Sequence, residues 1–179
     1  MFSATTGTDQ QTFTEYATHA WPRLYRYAYL LTGQHADAED VAQQTLVRAH
    51  QAWSRVAAAD SPDAYVRRIL TNVFLSSKRP RARRLELLTD EVPEAVSSGP
   101  SSEPALLWPH VKELPPRQRA VVVLRYYEGL SEAEIADVLE VSPGTVKSNA
   151  HKALKSLRAA LEAEGHRPNR SADPRKEDQ

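Results

Sequence analysis

The stretch from residue 131 to residue 157, SEAEIADVLEVSPGTVKSNAHKALKSL, holds two helical patterns separated by a deliberate stop, and few folds accommodate that. Ser131 followed three residues later by Glu134 is a capping box, and Ile135, Val138 and Leu139 form the apolar face of a short helix. Ser142 can cap a second helix with Pro143 at its first position, so Ser142-Pro143-Gly144 reads as a tight inter-helix turn. Spacing assigns Val146, Ala150, Leu154, Leu157 and Leu161 to the buried side of that second helix. Thr145, Lys147, Ser148, Asn149, His151, Lys152 and Lys155 are left outward, with no acid between Val141 and Leu161. A helix entering the major groove needs this mixture: cations to meet phosphate, and short hydrogen-bonding side chains near its N-terminal end to meet base edges. The segment therefore reads as a helix-turn-helix. The competing reading is a plain helical hairpin with a solvated basic face, on which His151 is a bystander.

The rest of the chain is also helical in pattern. Phe13, Tyr16, Ala20, Leu24, Tyr27 and Leu31 recur at steps of three or four and end at Gly33, with Pro22 predicting a kink or break near Trp21. A second helix is expected from Asp37 as cap, with Val41, Thr45, Ala49 and Trp53 on one face. A third is expected to follow Ser61-Pro62, turning Tyr65, Ile69, Val73 and Ser77 inward and ending at Pro80. Residues 86 to 104 contain three prolines, four serines and few apolar residues, the composition of a flexible linker. Helices resume near Ala105, and RQRAVVVLRYYEG reads as a helix closed by Gly129. No run alternates as a strand. The expected fold is all-α: a helical domain over 1–85, a linker over 86–104, a helix-turn-helix domain over 105–164 and a disordered tail over 165–179.

Charge is segregated rather than merely balanced. The formal net charge is zero, yet Arg67, Arg68, Lys78, Arg79, Arg81, Arg83 and Arg84 form an acid-free block. Glu86, Asp90, Glu91, Glu94 and Glu103 follow without a cation, and the basic helix adds a second cationic block. Two such blocks point to polyanion contact at two places, although a solvated face is the commoner cause of any one. Without cysteine there is no disulfide scaffold or thiolate site, and the six histidines form no ligand-like pairs with carboxylates, so neither metal nor cofactor is expected. No apolar run approaches the roughly 18 residues of a membrane span, and Met1 to Gly7 lacks the pattern of a secretory signal. A cytoplasmic location is the expectation.

Four segments in order, AEDVAQQTLVRAHQAW, AYVRRILTNVFLSSKRP, LPPRQRAVVVLRYYEGLSEAEIADVL and GTVKSNAHKALKSLR, resemble the extracytoplasmic-function class of bacterial RNA polymerase sigma factors, most closely its actinobacterial group. The resemblance spans roughly residues 13 to 163. It implies a first domain that binds the clamp helices of the polymerase β′ subunit and the promoter −10 element, and a second that binds the β flap and the −35 element. By position, Asp40, Gln43 and Gln44 are the clamp-facing residues. The family often has Glu where Gln44 stands, and acids in a first turn also serve the helix dipole. The loop from Ser54 to Ser61 and the helix from Tyr65 to Arg79 match the −10 surface, with Arg67, Arg68, Asn72, Lys78 and Arg79 holding unstacked bases and the displaced strand. Asn72 is open to a second reading as a helix-packing residue. Asn149 and Lys152 occupy positions where the family commonly has Arg. The implied partners are core RNA polymerase and promoter DNA, with an anti-sigma protein left open, and the implied role is a specificity subunit with no catalytic centre. The alternative is a response-regulator-type helix-turn-helix regulator, which would need an α/β receiver or a ligand pocket in its first half.

Overall fold

The computed structural model describes residues 5–77 and 102–164. Those residues form eight helices and no strand: α1 (Thr5–Thr32), α2 (His35–Gln51), α3 (Trp53–Ala57), α4 (Pro62–Ser77), α5 (Ser102–Val111), α6 (Pro116–Tyr126), α7 (Glu132–Leu139) and α8 (Pro143–Ala163). The all-α class follows from the absence of any period-two pattern. Lys78, Arg79, the helix end expected at Pro80, most of the predicted linker and the tail from residue 165 lie outside the described residues.

Helix α1 departs from expectation by running unbroken through Pro22. Pro22 and Thr18 are both exposed, so the carbonyl that the proline leaves without an N–H partner can turn to water. Ala20, Leu24, Tyr27, Ala28 and Leu31, buried on either side of the proline, hold the two halves of the helix to one core. Gly33 ends it at φ 78°, a conformation that glycine adopts without steric cost, and its N–H donates to the Tyr29 carbonyl at 2.8 Å. Helix α2 starts two residues earlier than its predicted cap: extended Gln34 precedes it without a side-chain cap bond. Asp37 lies in the first turn, where its charge meets the positive end of the helix.

The segment read as a loop from Ser54 is partly helical, because α3 covers Trp53–Ala57 and buries Val56. Helix α4 begins as expected, with Ser61 Oγ accepting the Ala64 N–H at 3.2 Å. Its buried face is rotated from the predicted one. Val66, Leu70, Thr71, Val73 and Phe74 are buried, Tyr65 and Ile69 only half-buried, and Ser77 exposed. Steps of three and four allow both series, and packing on α1 and α2 selects the one that buries Leu70 and Phe74. The Tyr27 hydroxyl, 2% exposed, meets the Thr71 hydroxyl at 2.7 Å across this interface.

In the second half, α5 starts at Ser102 rather than near Ala105, with Pro104 in its first turn, where a missing N–H costs nothing. Val121, Val123, Leu124, Ile135 and Val146 are fully buried where α6, α7 and α8 meet. Gly129 closes the α6 end at φ 69°. Leu154, expected inside, is 44% exposed, and Ala153 is buried in its stead. Close approach of α8 to its neighbours favours the smaller side chain on the inner line.

The two halves also pack on each other, α1 against α6 and α4 against α6 and α7. Trp108 stacks on Tyr29 with ring centroids 5.9 Å apart. The Arg119 guanidinium donates to the carbonyls of Leu31 at 2.6 Å and Leu114 at 3.1 Å, as well as to that of Lys112. It also lies over the Phe74 ring, 5.9 Å from its centroid. Arg119 thus ties the C-terminal carbonyls of α1, the negative end of that helix, to the α5–α6 turn.

Candidate nucleic-acid interface

The turn between α7 and α8 is built as its residues require. Ser131 Oγ accepts the Glu134 N–H at 3.3 Å, and Glu134 Oε2 accepts the Ser131 N–H at 2.8 Å, completing the capping box. Hydrogen bonding of the Glu134 carboxylate by Ser131, side chain and backbone, holds it below its ordinary pKa. Glu140 ends α7 in the left-handed region at φ 54°. Ser142 then caps α8, its Oγ accepting the Thr145 N–H at 3.2 Å. Each cap satisfies backbone donors that a short helix would otherwise leave open.

The result is a 21-residue helix, α8, whose outer face carries the expected polar residues and, in addition, Leu154. Lys147, Ser148, His151, Lys152 and Lys155 are exposed, and Thr145 and Asn149 half-buried. Three of these seven already have intramolecular partners. The Thr145 hydroxyl meets Ser142 Oγ at 2.9 Å, the Asn149 amide donates to the Thr145 carbonyl at 2.9 Å, and Lys147 Nζ lies 3.6 Å from Glu132. Glu132 also accepts from Arg125 at 3.0 Å, so one acid orients two cations beside the turn.

A second basic surface lies on α4. Arg67 is half-buried and donates to Glu128 at 3.1 Å, while exposed Arg68 donates to Glu140 from Nε at 3.1 Å and from Nη2 at 2.8 Å. Asn72 is half-buried. Beside the start of α4 is an open groove of about 530 Å³, lined by Tyr16, His19, Ala20 and Arg23 of α1 and by residues Asp60 to Asp63. Asp63 pairs with Arg23 and accepts the Tyr16 hydroxyl at 3.0 Å. The Arg23 hydrogen bond, opposed by burial and aided by Tyr16, holds the Asp63 carboxyl below its ordinary range. Burial, and then Asp63, push the Tyr16 hydroxyl up. Sequence reading missed this groove, because Tyr16 and Asp63 are 47 residues apart and no local pattern connects them.

The third surface is the outer face of α2. Asp40, Gln43 and Gln44, which the resemblance implies face outward, are all exposed. The Gln44 amide donates to Asp40 at 2.7 Å and the Gln43 amide to Glu39 at 3.1 Å, each one turn apart. A glutamate at position 44 would set a like charge one turn from Asp40, so Gln44 exchanges repulsion for a hydrogen bond. Val47, 57% exposed, adds an apolar side chain to the same helix.

Among the described residues, no helix is long and apolar enough to cross a membrane, and no group of acidic and histidine side chains is placed to hold a metal. A helical module with a polar outer face on α2, packed beside one with a doubly capped helix-turn-helix, defines a two-module DNA-binding protein. Residues 17–84 match sigma-70 region 2, and residues 111–157 match sigma-70 region 4. The RNA polymerase sigma-E factor of Streptomyces avermitilis is 40% identical over 155 residues, covering 84% of this chain and 86% of its own. The ECF RNA polymerase sigma factor SigL of Mycobacterium tuberculosis is 36% identical over 149 residues, covering 79% and 84%. In fold, the chain resembles the Bartonella quintana sigma factor RpoE, solved with the anti-sigma factor NepR, at a TM-score of 0.67 and 23% identity, covering 86% of this chain and 99% of that one. CnrH, solved with the cytosolic domain of CnrY, gives 0.57 at 25% identity, covering 87% and 90%.

The chain belongs to the sigma-70 family of RNA polymerase sigma factors, in its extracytoplasmic-function class, and is similar to the sigma-E factors of Streptomyces. Its function is therefore to direct promoter-specific transcription initiation with core RNA polymerase. The response-regulator alternative is not favoured: region 2 occupies the place where a receiver would be, and the described part of that half is helical.

Proposed function

We propose that the three surfaces divide the work of initiation. The outer face of α8 reads the −35 element: Ser148 and Asn149 near its N-terminal end meet base edges, and Thr145, Lys147, His151, Lys152 and Lys155 position the helix on phosphate. Arg67, Arg68 and Asn72 of α4, with Lys78 and Arg79 beyond it, hold the −10 element. The groove beside Ser61 is large enough to receive an unstacked base. Asp40, Gln43 and Gln44 dock α2 on the β′ clamp helices, and the second module meets the β flap. The observation that carries this reading is the outer face of α8, acid-free from Pro143 to Leu161 and fixed by two caps within a region 4 match.

In this reading the protein works in the cytoplasm as a specificity subunit without chemistry of its own, and phosphodiester synthesis belongs to the polymerase. Residues 1–85 and 105–164 are the two functional domains, joined through 86–104, with 165–179 a tail. Because RpoE and CnrH were each solved with a protein partner, an inhibitory anti-sigma protein is included among the partners. The test is a pull-down of core polymerase with Asp40→Ala/Gln43→Ala. Both sites are exposed, so the fold should lose less than about 0.5 kcal/mol per site. Holoenzyme assembly is expected to weaken, and assembly equal to wild type would remove the clamp assignment.

A further inference from the structure

Of the seven outward polar residues of α8, Asn149 is the one whose hydrogen-bonding pattern is fixed before DNA arrives. Its amide donates to the Thr145 carbonyl, one turn back, at 2.9 Å. A carbonyl oxygen only accepts, so the bonded atom is the NH2 nitrogen, and the carboxamide cannot be turned end for end without losing the contact. That leaves Oδ1 as an acceptor and the second N–H as a donor, side by side on a half-buried side chain. The neighbouring residues are less selective. Lys147, Lys152 and Lys155 can only donate, the Ser148 hydroxyl rotates to donate or accept, and His151 changes role with its tautomer. The Thr145 hydroxyl is engaged by Ser142 Oγ at 2.9 Å.

We propose that Asn149 selects adenine at one position of the −35 element, its Oδ1 accepting from the adenine N6 amino group while its second N–H donates to N7. The proposal rests on the reading of α8 as the −35 helix and adds the base that this residue recognises. In the major groove only adenine sets a donor beside an acceptor on one base: guanine offers two acceptors, cytosine one donor, and thymine one acceptor beside a methyl group. Guanine O6 would face Oδ1 acceptor to acceptor, and either pyrimidine would leave one of the two Asn149 groups unpaired in a desolvated interface. The bond to Thr145 sharpens the choice, because an asparagine free to rotate could turn its N–H groups toward guanine or thymine instead. The backbone of α8 thereby orients the side chain that reads the base.

The test uses holoenzyme assembled from core polymerase and the full-length protein, with promoter duplexes that keep the −10 element constant and carry a randomised −35 region. Selection by the wild-type protein should enrich adenine at one position, and Asn149→Ala should flatten the preference at that position alone, by about five- to 150-fold. In the selected duplex, 7-deazaadenine at that position removes the N7 acceptor and unsubstituted purine removes the N6 amino group. Both leave the protein untouched, so the result does not depend on how a variant folds. Each analogue should weaken wild-type binding, and neither should weaken the Asn149→Ala holoenzyme further. An adenine preference that survives Asn149→Ala, or analogues that the wild type tolerates, would overturn the proposal. Ser148→Ala, run in parallel, separates the two claims. A −35 preference altered by Ser148→Ala and untouched by Asn149→Ala would keep α8 as the reading helix and remove Asn149 from the reading, whereas a preference altered by neither would remove the reading of α8 as well.

Discussion

Thr71→Val should destabilise the first module more than Tyr27→Phe, although each removes one hydroxyl from the same 2.7 Å contact. The Thr71 hydroxyl already donates to the Arg67 carbonyl at 2.9 Å, so its single hydrogen is used and Tyr27 must be the donor between the two. Without Thr71 Oγ1, the Tyr27 O–H, 2% exposed, has no acceptor, and a buried unpaired donor costs about 1–3 kcal/mol. Tyr27→Phe leaves Thr71 still bonded and should cost only about 0.5–1.5 kcal/mol. The double variant replaces both partners by apolar groups of similar shape, and its cost should fall below the sum of the two. Urea unfolding followed by far-ultraviolet circular dichroism measures the cycle, and at roughly 2–4 °C per kcal/mol a thermal melt resolves the order. A Thr71→Val cost no larger than that of Tyr27→Phe, or strict additivity, would refute the donor assignment. Thr71 sits between Arg67 and Asn72, so the same interface sets the rotation of the α4 face proposed to hold the −10 element.

Two further predictions concern charge. Asp63 has its pKa lowered chiefly by the Arg23 hydrogen bond, so the folded state binds fewer protons there than the unfolded state. The stabilisation is complete above the ordinary carboxylate value near 3.8 and is lost as pH falls through the lower folded value. Because Arg23 and Asp63 side chains are 44% and 42% exposed, solvent screening limits the effect to roughly 1 kcal/mol. Asp63→Asn should therefore flatten the acid limb of a stability–pH curve, and an unchanged limb would remove the pair from acid unfolding. On α8, Lys155→Ala should weaken all duplexes alike and lower the salt slope by about one unit, whereas Ser148→Ala should cost about 1–3 kcal/mol on cognate −35 DNA and far less on scrambled DNA. Titrations within holoenzyme at several salt concentrations check both, and equal losses by Ser148→Ala on the two DNAs would move base reading elsewhere.

What the sequence determined by itself was local. The capping box at Ser131, the Ser142-Pro143 restart and the outward residues of α8 all follow from spacings of three and four residues, which periodicity reports directly. Everything that required a partner element was decided by the tertiary structure. The continuity of α1 through Pro22 came from core contacts on both sides of the proline, and the rotation of α4 came from burying Phe74 instead of Tyr65. Leu154 stayed exposed because Ala153 fits the closer approach of α8 to its neighbours. The groove formed by Tyr16, Arg23 and Asp63 and the pairing of Arg67 and Arg68 with Glu128 and Glu140 join residues 40 to 72 positions apart. A charge in a sequence shows that an ion pair is possible, but helix packing alone determines which opposite charge comes within reach.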